Sequence, residues 1–152
     1  MISGSIENFQ DDIMKQYDIL SLIPQKPPFV MIDALLTVDE KGATGVFKIS
    51  EKNLFLADGF LAEAALIENI AQTAAAGVGY RAGITKEPVP VGYIGAIKDL
   101  QIFSLPKIGD TIVTEVSVVN KVFDVTLVNG SIYCNDQLAA TCEMKIFISK
   151  QS

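Results

Sequence analysis

The sequence predicts an α+β domain in which an antiparallel sheet wraps around one long helix. Three observations predict it. Strand-like segments are segregated from helical ones, the pattern of an α+β domain rather than of an alternating parallel sheet. Leu138 to Ser149 alternates cleanly, with Leu138, Ala140, Cys142, Met144, Ile146 and Ile148 on one side, as a strand with one face on a core does. Finally, Leu61 to Gly83 reads LAEAALIENIAQTAAAGVGYRAG, almost wholly apolar and rich in alanine and glycine. Such a helix needs cover on most faces, and it is thin enough for one twisted sheet to close around it.

Asn8 to Leu22 carries Phe9, Ile13, Met14, Tyr17, Ile19, Leu20 and Leu22, the spacing of a short amphipathic helix. Pro24, Pro27 and Pro28 break it. Phe29 to Val38 is an apolar strand, and after the turn Asp39–Gly42 a second runs from Ala43 to Ser50. Residues 51–60, EKNLFLADGF, are a connection ending in Asp58–Gly59, a turn signal and an entry to the long helix. Thr85 to Pro90 is a loop. Strands follow at Val91–Ala96 and Lys98–Ser104, then a break at Leu105–Asp110, then a long strand at Thr111–Val122. Asp124–Cys134 and Leu138–Ser149 close a hairpin through Asn135–Gln137.

A chain of 152 residues fits one domain, residues 1–152. Its formal charge of −6, with 11 scattered lysines and the single Arg81, argues against a nucleic-acid partner, which demands concentrated positive charge. Cys134 and Cys142 flank the hairpin turn at unequal heights, so a disulfide between them is not expected, and two free thiols fit a reducing compartment. No metal site is expected without histidine or clustered cysteine, and no cofactor. The acidic, polar N-terminus lacks the basic flank and apolar run of a signal peptide, and Glu68 and Arg81 interrupt the best apolar run, so no membrane span is expected and the expected location is the cytoplasm.

Two features carry the chemistry. Glu68 stands in the middle of the apolar helix, where a carboxylate is costly unless it is partnered or used. It shares a helix face with Ala64, Ala65, Gln72, Ala75 and Ala76, whose small side chains leave room for a ligand or a crossing chain. Against this stands an absence: the chain contains no histidine, so any acid–base chemistry runs without the usual base. Gln72, one turn from Glu68, has no acid–base capacity but can orient it or hydrogen-bond backbone.

Three motifs give the chain a family resemblance. IPQKPPFVMID (Ile23–Asp33), ALIENIAQTAAA (Ala65–Ala76) and GAIKDLQIFSLPKIGDTI (Gly95–Ile112) occur in the order found in the hotdog-fold 3-hydroxyacyl-acyl-carrier-protein dehydratases, which the sequence resembles over most of residues 20–148. The short passage ADGFLAEAALIE (Ala57–Glu68) is similar to that of the aryl-polyene-type dehydratase-like proteins. The resemblance implies a hotdog fold, an acyl thioester substrate on carrier protein or CoA, and elimination of water across an active site shared by a dimer. It carries Glu68 over as the catalytic acid, with Gln72 as its helix neighbour. The family histidine does not carry over: Gln25 stands in its place.

Further substrate contacts are expected at Gln25, which can bond a loop or a substrate, and at Asp58 and Gly59, where backbone N–H groups at the helix start can polarise a thioester carbonyl. Tyr93 lines a tunnel or packs in the core. Gly95 marks either close approach of an acyl chain or a bulge. Lys26 is the nearest substitute base in the sequence, and Lys26, Lys52, Lys98, Lys107 and Arg81 are the cations available to dock an acidic carrier protein. Three functions fit these residues: a dehydratase subunit lending Glu68 to a histidine-bearing partner in a mixed dimer, a hotdog acyl thioesterase in which the carboxylate suffices, and a non-catalytic acyl-binding or scaffolding subunit. A dimer or larger assembly is expected for each.

Overall fold

The computed structural model describes residues 18–149. Its centre is helix α1, Glu63–Thr85, lying in the concave face of a sheet. Six strands form that sheet: β1 (Ala34–Asp39), β2 (Gly42–Lys48), β5 (Val91–Ile102), β6 (Thr111–Val122), β7 (Val125–Cys134) and β8 (Gln137–Ser149). They run in the order β1-β2-β6-β7-β8-β5, every neighbouring pair antiparallel. Two short strands, β3 (Leu56–Ala57) and β4 (Phe60–Leu61), pair separately ahead of the helix. This is the expected α+β arrangement, the hotdog fold.

The alanines and glycines of α1 allow the close approach that the fold requires. Ala65, Leu66 and Ile70 bury their side chains against Ile112, Val116, Val128, Ile132, Ala140 and Met144 of the sheet. Next to Gly79 a Cβ would lie 2.1 Å from the carbonyl oxygen of Leu22, so the chain ahead of β1 rests directly on the helix backbone. Leu22 and Ile23 are buried there with Ile32, Leu35, Ala43 and Ala76.

Several elements differ from the sequence expectation. The N-terminal helix expected over Asn8–Leu22 lies largely outside the described residues, and Ile19–Ser21 is a single 3-10 turn capped by the Asp18 carboxylate. β1 starts at Ala34 rather than Phe29, because the backbone of Phe29 and Met31 is bound by helix side chains instead of a strand. The Met31 N–H donates to Gln72 Oε1 at 2.6 Å, and its carbonyl accepts from Asn69 Nδ2 at 2.7 Å. Residues 51–60 contain a hairpin whose turn, Asp58–Gly59, has positive φ at both positions (53° and 83°), as a tight two-residue turn requires. Asp58 therefore does not cap α1: the N-cap is Ala62, with no side-chain cap.

The two strands expected at 91–104 are one long strand, β5, with register shifts between Ile94 and Ala96 and between Lys98 and Gln101. The helix runs on past Gly83 to Thr85, where Lys86 adopts the left-handed conformation that ends it. The β7–β8 hairpin is as expected. Asn135 and Asp136, both at positive φ, form its turn, Cys134 pairs with Gln137, and Cys142 lies opposite Gly130. Both cysteines are free thiols.

Candidate functional site

One side of α1 packs tightly and another stands off from the sheet. The packed side carries polar side chains with complete hydrogen bonding. Asn69, Gln72, Thr73 and Thr114 are all buried. Asn69 Nδ2 donates to the Met31 carbonyl, its Oδ1 accepts from the Thr114 hydroxyl, and the Thr73 hydroxyl donates to the Asn69 carbonyl at 2.7 Å. Gln72 accepts from the Met31 N–H and donates from Nε2 to the Phe29 carbonyl at 2.9 Å. Buried amides in an apolar helix are stable only with such partners.

On the standing-off side, Glu68, Ala71, Ala74, Ala75, Val78 and Arg81 line a cavity of about 300 Å³. Its opposite wall is apolar and comes from the sheet, including Val116, Val128, Ile146 and Ile148. Gln25 and Pro24 close it on the side of the strap that precedes β1, and Gly92, Tyr93 and Ile94 contribute from β5. Glu68 is half-buried at this wall. Gln72 Nε2 lies 3.4 Å from Glu68 Oε2, a long contact that ties the carboxylate to the buried network. Gln25 Oε1 is buried and has no hydrogen-bond partner, the one such side-chain atom among the described residues. An orphan acceptor of this kind costs free energy until a donor reaches it.

The structure thus brings Gln25, Glu68 and Tyr93 to one cavity, with Gln72 touching Glu68 from behind. Tyr93 is 61 % exposed, so it is no core residue in the single chain. Asp58, Gly59 and Gly95 are elsewhere. The Asp58–Gly59 turn packs on the β5–β6 connection, where the Gly59 carbonyl accepts from the Ile108 N–H at 3.0 Å. Gly95 faces the Phe147 ring, which would lie 2.0 Å from an added Cβ, so the space it leaves is filled by a side chain of the protein itself. Lys26 is exposed and does not line the cavity. Sequence reasoning missed Asn69 and Thr114; the signal for Asn69 was present, as a second polar residue in an apolar helix beside Glu68.

The cavity supplies the Glu68 carboxyl group for acid–base work, a free amide acceptor and an apolar bed; its other lining carboxylate, Asp39, accepts from the Lys41 and Gly42 N–H groups. Among its lining side chains no imidazole, thiol or lysine stands as a base. No helix among the described residues is long and apolar enough to cross a membrane.

Known proteins match this architecture. The structure superposes on the dehydratase heterocomplex ApeI:P from Xenorhabdus doucetiae with a TM-score of 0.83 at 16% identity, covering 89% of this chain and 93% of that one. A hypothetical thioesterase from Streptococcus pneumoniae, solved with coenzyme A, matches at a TM-score of 0.62 and 10% identity over 77% of this chain and 85% of that one. The Escherichia coli PaaI protein from the phenylacetic acid degradation operon matches at 0.61 and 11%, over 74% and 80%. At these identities the likeness shows the hotdog fold. No curated protein matches the sequence. The family model ApeP-like, described as ApeP dehydratase, matches residues 17–152, nearly the whole sequence, and the chain belongs to that dehydratase family.

Proposed function

We propose that this chain is the acid-donating, histidine-free subunit of a mixed hotdog dehydratase acting on 3-hydroxyacyl thioesters. The observation that carries the reading is the pairing in one cavity of Glu68 with Gln25, which stands where the family resemblance calls for the histidine base. Glu68 has the position of a proton donor to a leaving hydroxyl. Gln25 cannot abstract a proton, but its unpaired Oε1 is suited to accept from the substrate's hydroxyl or amide. In the elimination a base removes the proton alpha to the thioester carbonyl, the C–H electrons form the double bond, and the C–O bond breaks as Glu68 protonates the departing oxygen. The base comes from a partner subunit. The likeness to a dehydratase heterocomplex and to a thioesterase holding coenzyme A supports a mixed assembly and an acyl thioester ligand.

β5 is the surface proposed for that partner. It is a long edge strand with unpaired backbone, and Tyr93, Ile97, Leu100 and Phe103 on or just beyond it are exposed. An edge of this length and apolarity is an association site unless it is covered. Strand addition here would set the partner beside Tyr93 and the cavity.

The test is dehydration of a 3-hydroxyacyl carrier protein by this chain alone, and again after mixing with a histidine-bearing hotdog subunit from the same organism. The reading expects negligible turnover alone and robust turnover in the mixture. Robust turnover alone, or none in the mixture, overturns it. Hydrolysis of acyl thioesters by the chain alone would favour the thioesterase instead.

A further inference from the structure

The cavity beside Glu68 does not end among apolar residues. Glu68, Ala71, Ala75, Val78 and Arg81 succeed one another at three- and four-residue steps along one face of α1. From Glu68 to Arg81 the helix advances ~20 Å. Arg81 is the single arginine of the chain. It lies where the first cavity adjoins a second of about 600 Å³, and it lines both. Its side chain makes no ion pair among the described residues. The second cavity is walled by Pro88, Pro90 and Phe123 and carries Glu40, Glu87, Asp124 and Lys121.

We infer that Arg81 is a specificity-determining residue for the far end of the acyl chain, and that the preferred chain carries a neutral oxygen there, such as a hydroxyl or carbonyl. This rests on the acyl-thioester reading of the Glu68 cavity. A chain whose reacting end lies at Glu68 and Gln25 runs along Ala71, Ala75 and Val78 and meets Arg81 next. A guanidinium offers five N–H donors and no acceptor, so it recognises oxygen and gains nothing from a methyl end. An anionic end is disfavoured, because three carboxylates and only two cations line the second cavity. A purely alkyl chain would have to desolvate the guanidinium without replacing its water.

Both cavities are formed within one chain, so binding can be measured on the protein alone. The probes are two 3-hydroxyacyl N-acetylcysteamine thioesters of equal length, one ending in a methyl group and one in a hydroxyl group, titrated calorimetrically. The expected result is tighter binding of the hydroxyl-ended probe, on the order of tenfold. Arg81→Leu is expected to erase that difference, and Arg81→Lys to retain part of it. The ratio between the two probes is the decisive readout, because a merely structural loss would weaken both alike. Equal affinity of the wild-type protein for the two probes, or an unchanged ratio in Arg81→Leu, overturns the inference while leaving the Glu68 reading in place. Failure of both probes to bind overturns the acyl-thioester reading itself, and the inference with it.

Discussion

Gln72 touches Glu68 from one helical turn away, and the same side chain fastens the strap that carries Gln25 to the helix. Its Nε2 lies 3.4 Å from Glu68 Oε2 and 2.9 Å from the Phe29 carbonyl, while its Oε1 accepts from the Met31 N–H. One buried amide therefore sets the position of Glu68 relative to Gln25 at the cavity wall. Its hydrogen bonds to Phe29 and Met31 are the shorter and stronger ones, so its first role is to hold the strap and its second to orient the acid.

Gln72→Leu should therefore cost stability as well as activity. It would strip the buried Met31 N–H and the Phe29 carbonyl of their partners, at ~2–4 kcal/mol together. Chemical denaturation should show the midpoint falling at unchanged slope. A loss below ~1 kcal/mol would mean that water or a neighbouring side chain takes over these bonds.

Gly79→Ala should also destabilise the fold, by ~1–3 kcal/mol. The added methyl would meet the backbone of Leu22 at 2.1 Å, and backbone cannot give way as a flexible side chain can. Amide hydrogen exchange should show faster exchange in residues 19–32 than in β6–β8. Uniform loss of protection would contradict the account of a strap seated on this glycine.

Cys134 is expected to react slowly at neutral pH although part of it is accessible. Burial, then the hydrogen bond and negative charge of Asp110, push its thiol from 9.0 up to about 11. The Cys134 sulfur lies 3.5 Å from Asp110 Oδ2. Because the folded value is raised, the fold favours the neutral thiol. That contribution is fully present below pH 9 and is lost as pH rises through about 11. Mass-spectrometric alkylation should accelerate over this interval, and Asp110→Asn should move the onset to lower pH. Rapid modification of Cys134 at pH 7.5 would refute the placement.

The β5 edge supplies another expectation. Ile97→Asp together with Leu100→Asp should break association with the partner subunit while leaving the circular dichroism of this chain unchanged, since both side chains are exposed in the single chain. Light scattering of the mixture reads the outcome. A complex of undiminished affinity would place the interface elsewhere.

The parts legible in the sequence are those where one physical requirement dominates. The apolar run around Glu68 can only be a covered helix, and the alternation from Leu138 onward can only be a strand with one buried face. The Asn135–Asp136 turn follows from residue types that tolerate positive φ. Where two requirements compete, the sequence is ambiguous. The sequence pattern divides Val91–Ala96 from Lys98–Ser104, yet the irregularities at Gly95 and Asp99 are bulges within one strand, β5, because the long ladder with β8 outweighs them. The β3–β4 hairpin is too short for any periodicity. Phe29 to Asp33 has strand composition, yet Gln72 and Asn69 claim its backbone groups, a long-range relationship that local pattern does not contain. In the same way Glu68 was visible as an anomaly on its helix, whereas the cavity running from it to Arg81 exists only because residues from both halves of the chain are brought opposite α1.

The central claim is that Glu68 supplies the acid to an active site completed by another subunit. Glu68→Gln preserves shape and hydrogen bonding and removes only the proton-donating carboxyl group. The direct measurement is dehydration of 3-hydroxyacyl carrier protein by the mixed complex, with assembly monitored by light scattering on the same samples. The account predicts that the variant assembles like the wild type and loses ~10²–10⁴-fold in turnover, the usual cost of removing a general acid. A fully assembled Glu68→Gln complex that dehydrates at the wild-type rate would contradict it.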